Sequence, residues 1–459
     1  MPGIIQNSRF KKNQFREYFF SLRQSSNPTV MSIPDQRYIK VQYAITLGAA
    51  LFLMIVTAVN HTPPMFDEIL FYRNMPLFRE YGLSAKFLLE MPDQAPGPLY
   101  QIIHTLFTPL TGFTTPGIRL VNVFLFFLVI GLTHLILKHY VKGLQHELLL
   151  ALNLVAVPVI WQVAGMALTE MPGMFFAMLS LLILGALVRR GRETNLVTLG
   201  LGLAGGICLG IAILGRTHFI VMMPAAAILV FNPLAAREQW QTVSIWAMML
   251  YLVAALAICT PMFYIWQGFL PPHQAVISQG SLKPWHAVLA FAYAGIIVVL
   301  LVPQWFKMNK RIALGLVALT LIYFVCNLFW WKKEYMPLYY FLAGIFPTGV
   351  MKIYPYLSTV VLMVFATYFV VHVVYYAFQH KNNAYYLVIA ACLVLALATC
   401  INVKHLFSSR YVAQASPFLI LLIAEKDGFD KFKILRLLIG IGMGYASLHT
   451  YLDPLNNIH

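Results

Sequence analysis

Residues 41–70 read VQYAITLGAALFLMIVTAVNHTPPMFDEIL. The run 41–60 carries no charge and has about the 20-residue length a helix needs to cross a bilayer core. Two prolines follow it, and then Asp67 and Glu68 stand side by side. Only 10% of the chain is charged, against 60% hydrophobic. Adjacent carboxylates at a membrane boundary are therefore costly, and they are candidates for chemistry in an aqueous pocket at the membrane surface.

Outward from this run, apolar stretches recur at 117–137, 147–164, 168–188, 195–213, 217–231, 242–266, 286–305, 312–331, 353–378, 384–401, 411–424 and 437–451. With a mean hydropathy of +0.74, they predict an all-α polytopic membrane protein of about 11–13 transmembrane helices. Residues 1–40 are polar and basic, and no small-residue cleavage site follows the first run. This predicts a cytoplasmic N-terminal segment and an uncleaved anchor. Residues 41–451 read as a single transmembrane domain and 452–459 as a tail. The five cysteines all fall in apolar runs without ligand spacing, as small buried hydrophobes do.

The net charge of +16 reports orientation, with no nucleic-acid partner implied. With the N-terminus in the cytoplasm and thirteen alternating spans, 21 of the 32 Lys and Arg residues fall on the cytoplasmic side. That is the positive-inside bias, and it also suits anionic lipid headgroups. The same alternation makes 61–116 a long first external loop, broken by Pro and Gly, with interfacial helices expected over 68–81 and 99–107. Two further external stretches are 267–285 and 332–352, the latter with Tyr335, Tyr339 and Tyr340 as an interfacial aromatic belt. There is no internal repeat, separate soluble domain, Gly-rich phosphate loop or zinc-type cluster, so any activity must be built from loops and span ends.

The alternation, chosen on charge alone, gathers Asp67, Glu68, Arg119, Glu170, Arg216 and Arg410 on the external face. Each has a plainer role open to it. Arg119 at a span end serves as an anchor, Glu170 caps a helix N-terminus, and Asp67 and Glu68 form a solvated pair. His218 packs or hydrogen-bonds, since no second histidine stands at metal spacing. Arg216 sits in so short a turn that anchoring suits it poorly. Their convergence is stronger than any one member.

At these residues the chain resembles the membrane-embedded GT-C glycosyltransferases that use polyprenyl-phosphate sugars. It looks most like the dolichyl-phosphate-glucose-dependent alpha-1,2-glucosyltransferases. Pro64-Met65-Phe66-Asp67-Glu68-Ile69 is similar to their Pro-x-Met-Asp-Glu-Ile run, with one inserted residue. Pro96-Gly97-Pro98-Leu99-Tyr100 loosely matches a Pro-Gly-Leu-Tyr element, and Arg119-Leu120-Val121-Asn122 an Arg-x-x-Asn. Thr169-Glu170 before Met174-Phe175-Phe176 and Arg216-Thr217-His218 follow in order, with histidine in place of asparagine. Ser409-Arg410-Tyr411 with Pro417 resembles an Arg-Tyr-plus-proline segment.

The resemblance implies a GT-C-like bundle that transfers a hexose such as glucose, with inversion, to a lipid-linked glycan or other acceptor. It implies Asp67 as the general base, with Glu68 and Glu170 orienting the acceptor or fixing the geometry of Asp67. Arginine forks suit the donor phosphate: Arg216 and Arg410 first, with Arg119 and Arg73 behind them. Tyr72, Tyr100 and His218 are the candidate substrate contacts. No cofactor is expected, because arginine can carry the leaving-group charge, although paired carboxylates leave room for a divalent metal. The membrane is that of the endoplasmic reticulum or a bacterial inner membrane, with the active face luminal or periplasmic. The competing class is a transporter or flippase, whose coupling carboxylates usually lie near the bilayer midplane within repeated halves.

Overall fold

The computed structural model describes residues 36–140, 146–236, 240–278, 280–332, 342–404, 406–428 and 430–452. Most of the basic N-terminal segment, the tail beyond Leu452 and the three tyrosines of the third external stretch lie outside the described residues. Every described element is helical. The first apolar run is one helix, α1 (Gln36–Val59), which stops where the Pro-rich phrase begins. Residues 61–116 contain three short helices, α2 (Asp67–Tyr81), α3 (Ala85–Glu90) and α4 (Leu99–Thr111). Ser84 caps α3 by accepting from the Phe87 N–H, and Gly112 ends α4 in the left-handed conformation that glycine adopts without strain.

The long helices follow. They are α5 (Gly117–Tyr140), α6 (Glu170–Arg190), α7 (Leu196–Gly215), α8 (Ile245–Trp266) and α9 (Pro284–Leu301). Then come α10 (Lys310–Cys326, continued by a π turn to Trp331), α11 (Thr348–Gln379), α12 (Ala384–Ala398), α13 (Arg410–Ile423) and α14 (Lys433–Leu452). Among the described residues nine helices are long and apolar enough to cross a membrane, which fits a multi-pass membrane protein.

That number is below the expected 11–13, and four stretches make the difference. The stretch 147–164 breaks into Glu147–Leu152, a 3-10 turn Asn153–Ala156 and, beyond Pro158, Ile160–Gly165. The stretch 217–231 alternates 3-10 and α turns from Thr217 to Leu229. The stretch 411–424 yields only the short α13. The last gives α14, which is long enough but opens on Lys433 and Arg436 and is less apolar.

Contacts between helix ends fall into two groups, one at each end of the bundle. Around the end of α1, Asn60, Glu68, Arg119 and Ala167 are joined by hydrogen bonds. Around its start, Gln42 donates to Asn153 (3.1 Å), and Asn153 donates to Asp427 (3.3 Å). Close helix crossings join the two ends. Gly202, Gly206 and Gly210 line the α7–α8 seam, where a Cβ on Gly206 would lie 2.2 Å from the Tyr251 carbonyl oxygen. Small residues at four-residue spacing let membrane helices approach this closely.

Candidate functional site

The site starts at Phe66, whose φ of 49° and ψ of −128° are unusual for a residue with a bulky side chain. Its ring is held edge-on to Tyr451, with centroids 5.0 Å apart. α2 begins at the next residue, so Asp67 and Glu68 share a helix N-terminus, where the dipole favours negative charge. Successive helical side chains diverge by about 100°. Glu68 is fully buried, whereas the Asp67 side chain is 41% exposed.

Glu68 lies in a closed clamp. Arg119, in the first turn of α5, grips it through Nε–Oε1 (2.9 Å) and Nη2–Oε2 (2.7 Å). The Ala167 and Met65 N–H groups also donate to it, at 2.6 and 3.0 Å. The remaining Arg119 donors go to Asn60 Oδ1 (2.7 Å), Thr62 Oγ1 (3.1 Å) and the Pro63 carbonyl (3.2 Å). All five guanidinium N–H groups thus have a protein acceptor, and the side chain is 0% exposed. One turn along α5, Asn122 donates to the Met166 and Leu168 carbonyls (2.7 and 2.8 Å), fixing the chain just before α6. In this arrangement every Arg119 N–H is directed at a protein acceptor, which suits a structural role.

The other charged residues form an alternating ladder. Arg410, first residue of α13, pairs with Asp67 through Nη2. Its Nη1 lies 3.7 Å from Glu170 Oε1, and the same Glu170 oxygen accepts from Arg216 Nη2. Arg410 Nε is steadied by Ser408 Oγ at 3.2 Å. Glu170 opens α6, and Arg216 follows directly on α7. A glycine crossing brings those two ends together: a Cβ on Gly215 would lie 3.2 Å from the Gly173 Cα and 2.6 Å from Leu99 Cδ2. The ladder keeps unused capacity, since Glu170 Oε2 and Arg216 Nε are buried with no partner among the described residues. Burial, followed by the neighbouring Arg410 charge, holds the Arg216 guanidinium down to about 10, so it stays charged at neutral pH.

The remaining candidates are placed as follows. Arg73 is exposed on α2 and has no place in the clamp or the ladder. Tyr72 stacks on Phe113 (centroids 4.9 Å, planes 12° apart). Tyr100 is fully buried against His104 (4.1 Å), and its hydroxyl has no partner among the described residues. The half-buried His218 has its ring 5.4 Å from that of Tyr411.

Sequence reasoning passed over Asn60 and Thr62, which complete the Arg119 clamp, although their place at the end of the first apolar run was a signal. It also passed over the buried amides Asn74, Gln94 and Gln101. Gln94 donates to the Pro96 and Gly97 carbonyls (3.1 and 3.0 Å) and exchanges hydrogen bonds with Gln101, locking the loop between α3 and α4. Gln414, a lone amide in an apolar run, is the third omission. Among the described residues no group of three or more His, Cys, Asp or Glu side chains is placed to hold a metal ion.

An all-helical, multi-pass architecture with an ion-pair network gathered where several helix ends meet is what fold and site define together. No protein-family model matches the chain, and no curated protein is significantly similar to it.

Proposed function

We propose that the chain transfers a hexose, glucose being the first candidate, from a polyprenyl-phosphate donor to a lipid-linked glycan or another hydroxyl acceptor. The observation that carries this reading is the ladder Asp67–Arg410–Glu170–Arg216, which ends in a half-exposed carboxylate and contains two guanidinium groups. Such a transfer needs a base for the acceptor hydroxyl and positive charge for the leaving phosphate. Asp67 takes the hydroxyl proton, and the acceptor oxygen attacks the anomeric carbon. The bond from that carbon to the phosphate oxygen breaks, and the phosphate leaves with the electron pair toward Arg410 and Arg216, with inversion. Asp67 is paired with Arg410. A phosphate that draws Arg410 toward itself therefore also releases the base.

Glu68 and Arg119 serve this chemistry indirectly, by fixing the start of α2 and hence Asp67. The active face is luminal or periplasmic, as the charge bias supports. Asp67→Asn keeps the size and neutralises the base. In membranes supplied with polyprenyl-phosphate glucose it is expected to lower transfer by about 10²-fold or more at unchanged protein abundance. Near-normal transfer would sink the base assignment. Vesicle uptake that depends on Asp67, with no glycosylated product, would instead favour the transporter reading.

A further inference from the structure

One turn below Arg410 on α13 stands Gln414. Residues four apart lie on one face of a helix, about 5.4 Å apart along it, so Gln414 lies on the Arg410 face of α13, one turn further in. Its surroundings on α13 are apolar: Val412, Ala413, Ala415, Phe418 and Leu419 are all buried. Gln414 itself is 4% exposed, and neither its Oε1 nor its Nε2 has a partner among the described residues. A buried amide with both ends unsatisfied bears the whole desolvation penalty of each group, a penalty a methionine in the same place avoids. Buried atoms with unused capacity also stand at the ladder: Glu170 Oε2, Arg216 Nε and Thr169 Oγ1.

We infer that Gln414 is a specificity residue, forming with Glu170 Oε2 a subsite for the hydroxyl groups of the transferred sugar. The set contains an acceptor and a donor on one amide, a carboxylate oxygen that only accepts, and a guanidinium N–H that only donates. An apolar chain would satisfy none of these, and an anion would oppose Glu170. Neighbouring hydroxyls on a pyranose ring, each donor and acceptor at once, complement the amide pairwise. The depth of Gln414 also suits a sugar that hangs below a phosphate held by Arg410. A site built to hydrogen-bond a hydroxyl rejects an analogue lacking it far more strongly than an apolar pocket does.

The inference rests on the glycosyl-transfer reading, and the test separates the two. Gln414→Met keeps the shape and removes both hydrogen-bonding ends. The expected result is a thermal midpoint in detergent equal to or above wild type and a KM for polyprenyl-phosphate glucose raised at least tenfold. Inhibition by sugar-free polyprenyl phosphate should be unchanged. A wild-type KM in a folded Gln414→Met protein overturns the subsite and leaves Gln414 a packing residue. Should Gln414→Met not fold, Gln414→Asn, which retains the amide one methylene short, decides by the same split between donor KM and sugar-free inhibition. Loss of transfer in Asp67→Asn with normal Gln414 variants removes the subsite alone. Full transfer in Asp67→Asn removes the enzymatic reading and the subsite with it.

Discussion

At Phe66 a positive φ starts α2 so that Asp67 emerges toward the site and Glu68 toward the interior. The two acids are indistinguishable by position in the sequence, and so were the arginines expected to serve them. A guanidinium that neutralises a buried carboxylate and one that awaits an anion are written alike; only the list of acceptors separates them. Arg119 has five protein acceptors, whereas Arg216 has one Glu170 oxygen, and Arg410 approaches that same oxygen besides Asp67 and Ser408. Removing one partner of a buried pair typically costs about 3–5 kcal/mol, because it strands the other charge. Arg119→Ala is therefore expected to lower the thermal midpoint and the abundance of the protein steeply, while the folded remainder keeps a donor KM near wild type. Arg119→Lys, which keeps the charge but not the fork, should fall between. A folded Arg119→Ala protein with a raised donor KM would restore Arg119 to the phosphate site.

The helices themselves were legible where apolar runs are unbroken, as in α1, α5 and α6. They were less so where a run holds more than one kind of turn. Thr217–Leu229 mixes 3-10 turns, rising about 2.0 Å per residue, with an α turn, and so extends roughly 24 Å, still short of the ~30 Å hydrocarbon core. Hydropathy reports that such a segment is apolar without reporting its pitch. The helices of 61–116 were legible because Pro and Gly punctuate them, and α2 and α4 begin within a residue of their expected starts. On α4, Leu106 and Leu110 are 69% and 83% exposed one turn apart, which favours the expected seat in the membrane interface. The α6–α7 crossing, by contrast, has no sequence signature beyond two unremarked glycines. Gly215→Val would drive a branched side chain against Gly173 and Leu99. The expected cost is about 1–3 kcal/mol in stability, together with a loss of transfer larger than the loss of folded protein, because Glu170 and Arg216 are pushed apart. Thermal midpoint and activity measured on the same detergent-solubilised sample check this, and a proportional fall in both would leave the crossing purely structural.

Across the whole molecule the charged residues separate by end. The site end carries the clamp and the ladder. The opposite end carries the buried set Gln42, Asn153, Asp427 and Lys433, in which Lys433 Nζ reaches both Asp427 oxygens at 2.7 and 2.8 Å. That second set ties α1, the broken stretch after α5 and α14 together, so the two ends are pinned by separate hydrogen-bonded sets. The alternation of thirteen spans predicts Asp67, Glu170, Arg216 and Arg410 on one face; the structure brings these four together, although only nine helices among the described residues are long and apolar enough to cross. Which end faces the cytoplasm is a proposal from the Lys and Arg bias, and labelling tests it directly. Glu80 on α2 is exposed at the site end, and Lys381 is exposed beyond α11 at the other. Glu80→Cys and Lys381→Cys, made singly and treated with a membrane-impermeant thiol reagent in sealed vesicles of known orientation, should label on opposite sides. The native cysteines are buried or lie within apolar helices, so they contribute little background. With the cytoplasmic face outward, Lys381→Cys should label at once and Glu80→Cys only after permeabilisation. The reverse pattern would place the ladder in the cytoplasm, where nucleotide sugars are the available donors, and the polyprenyl-phosphate reading would lose its topological support.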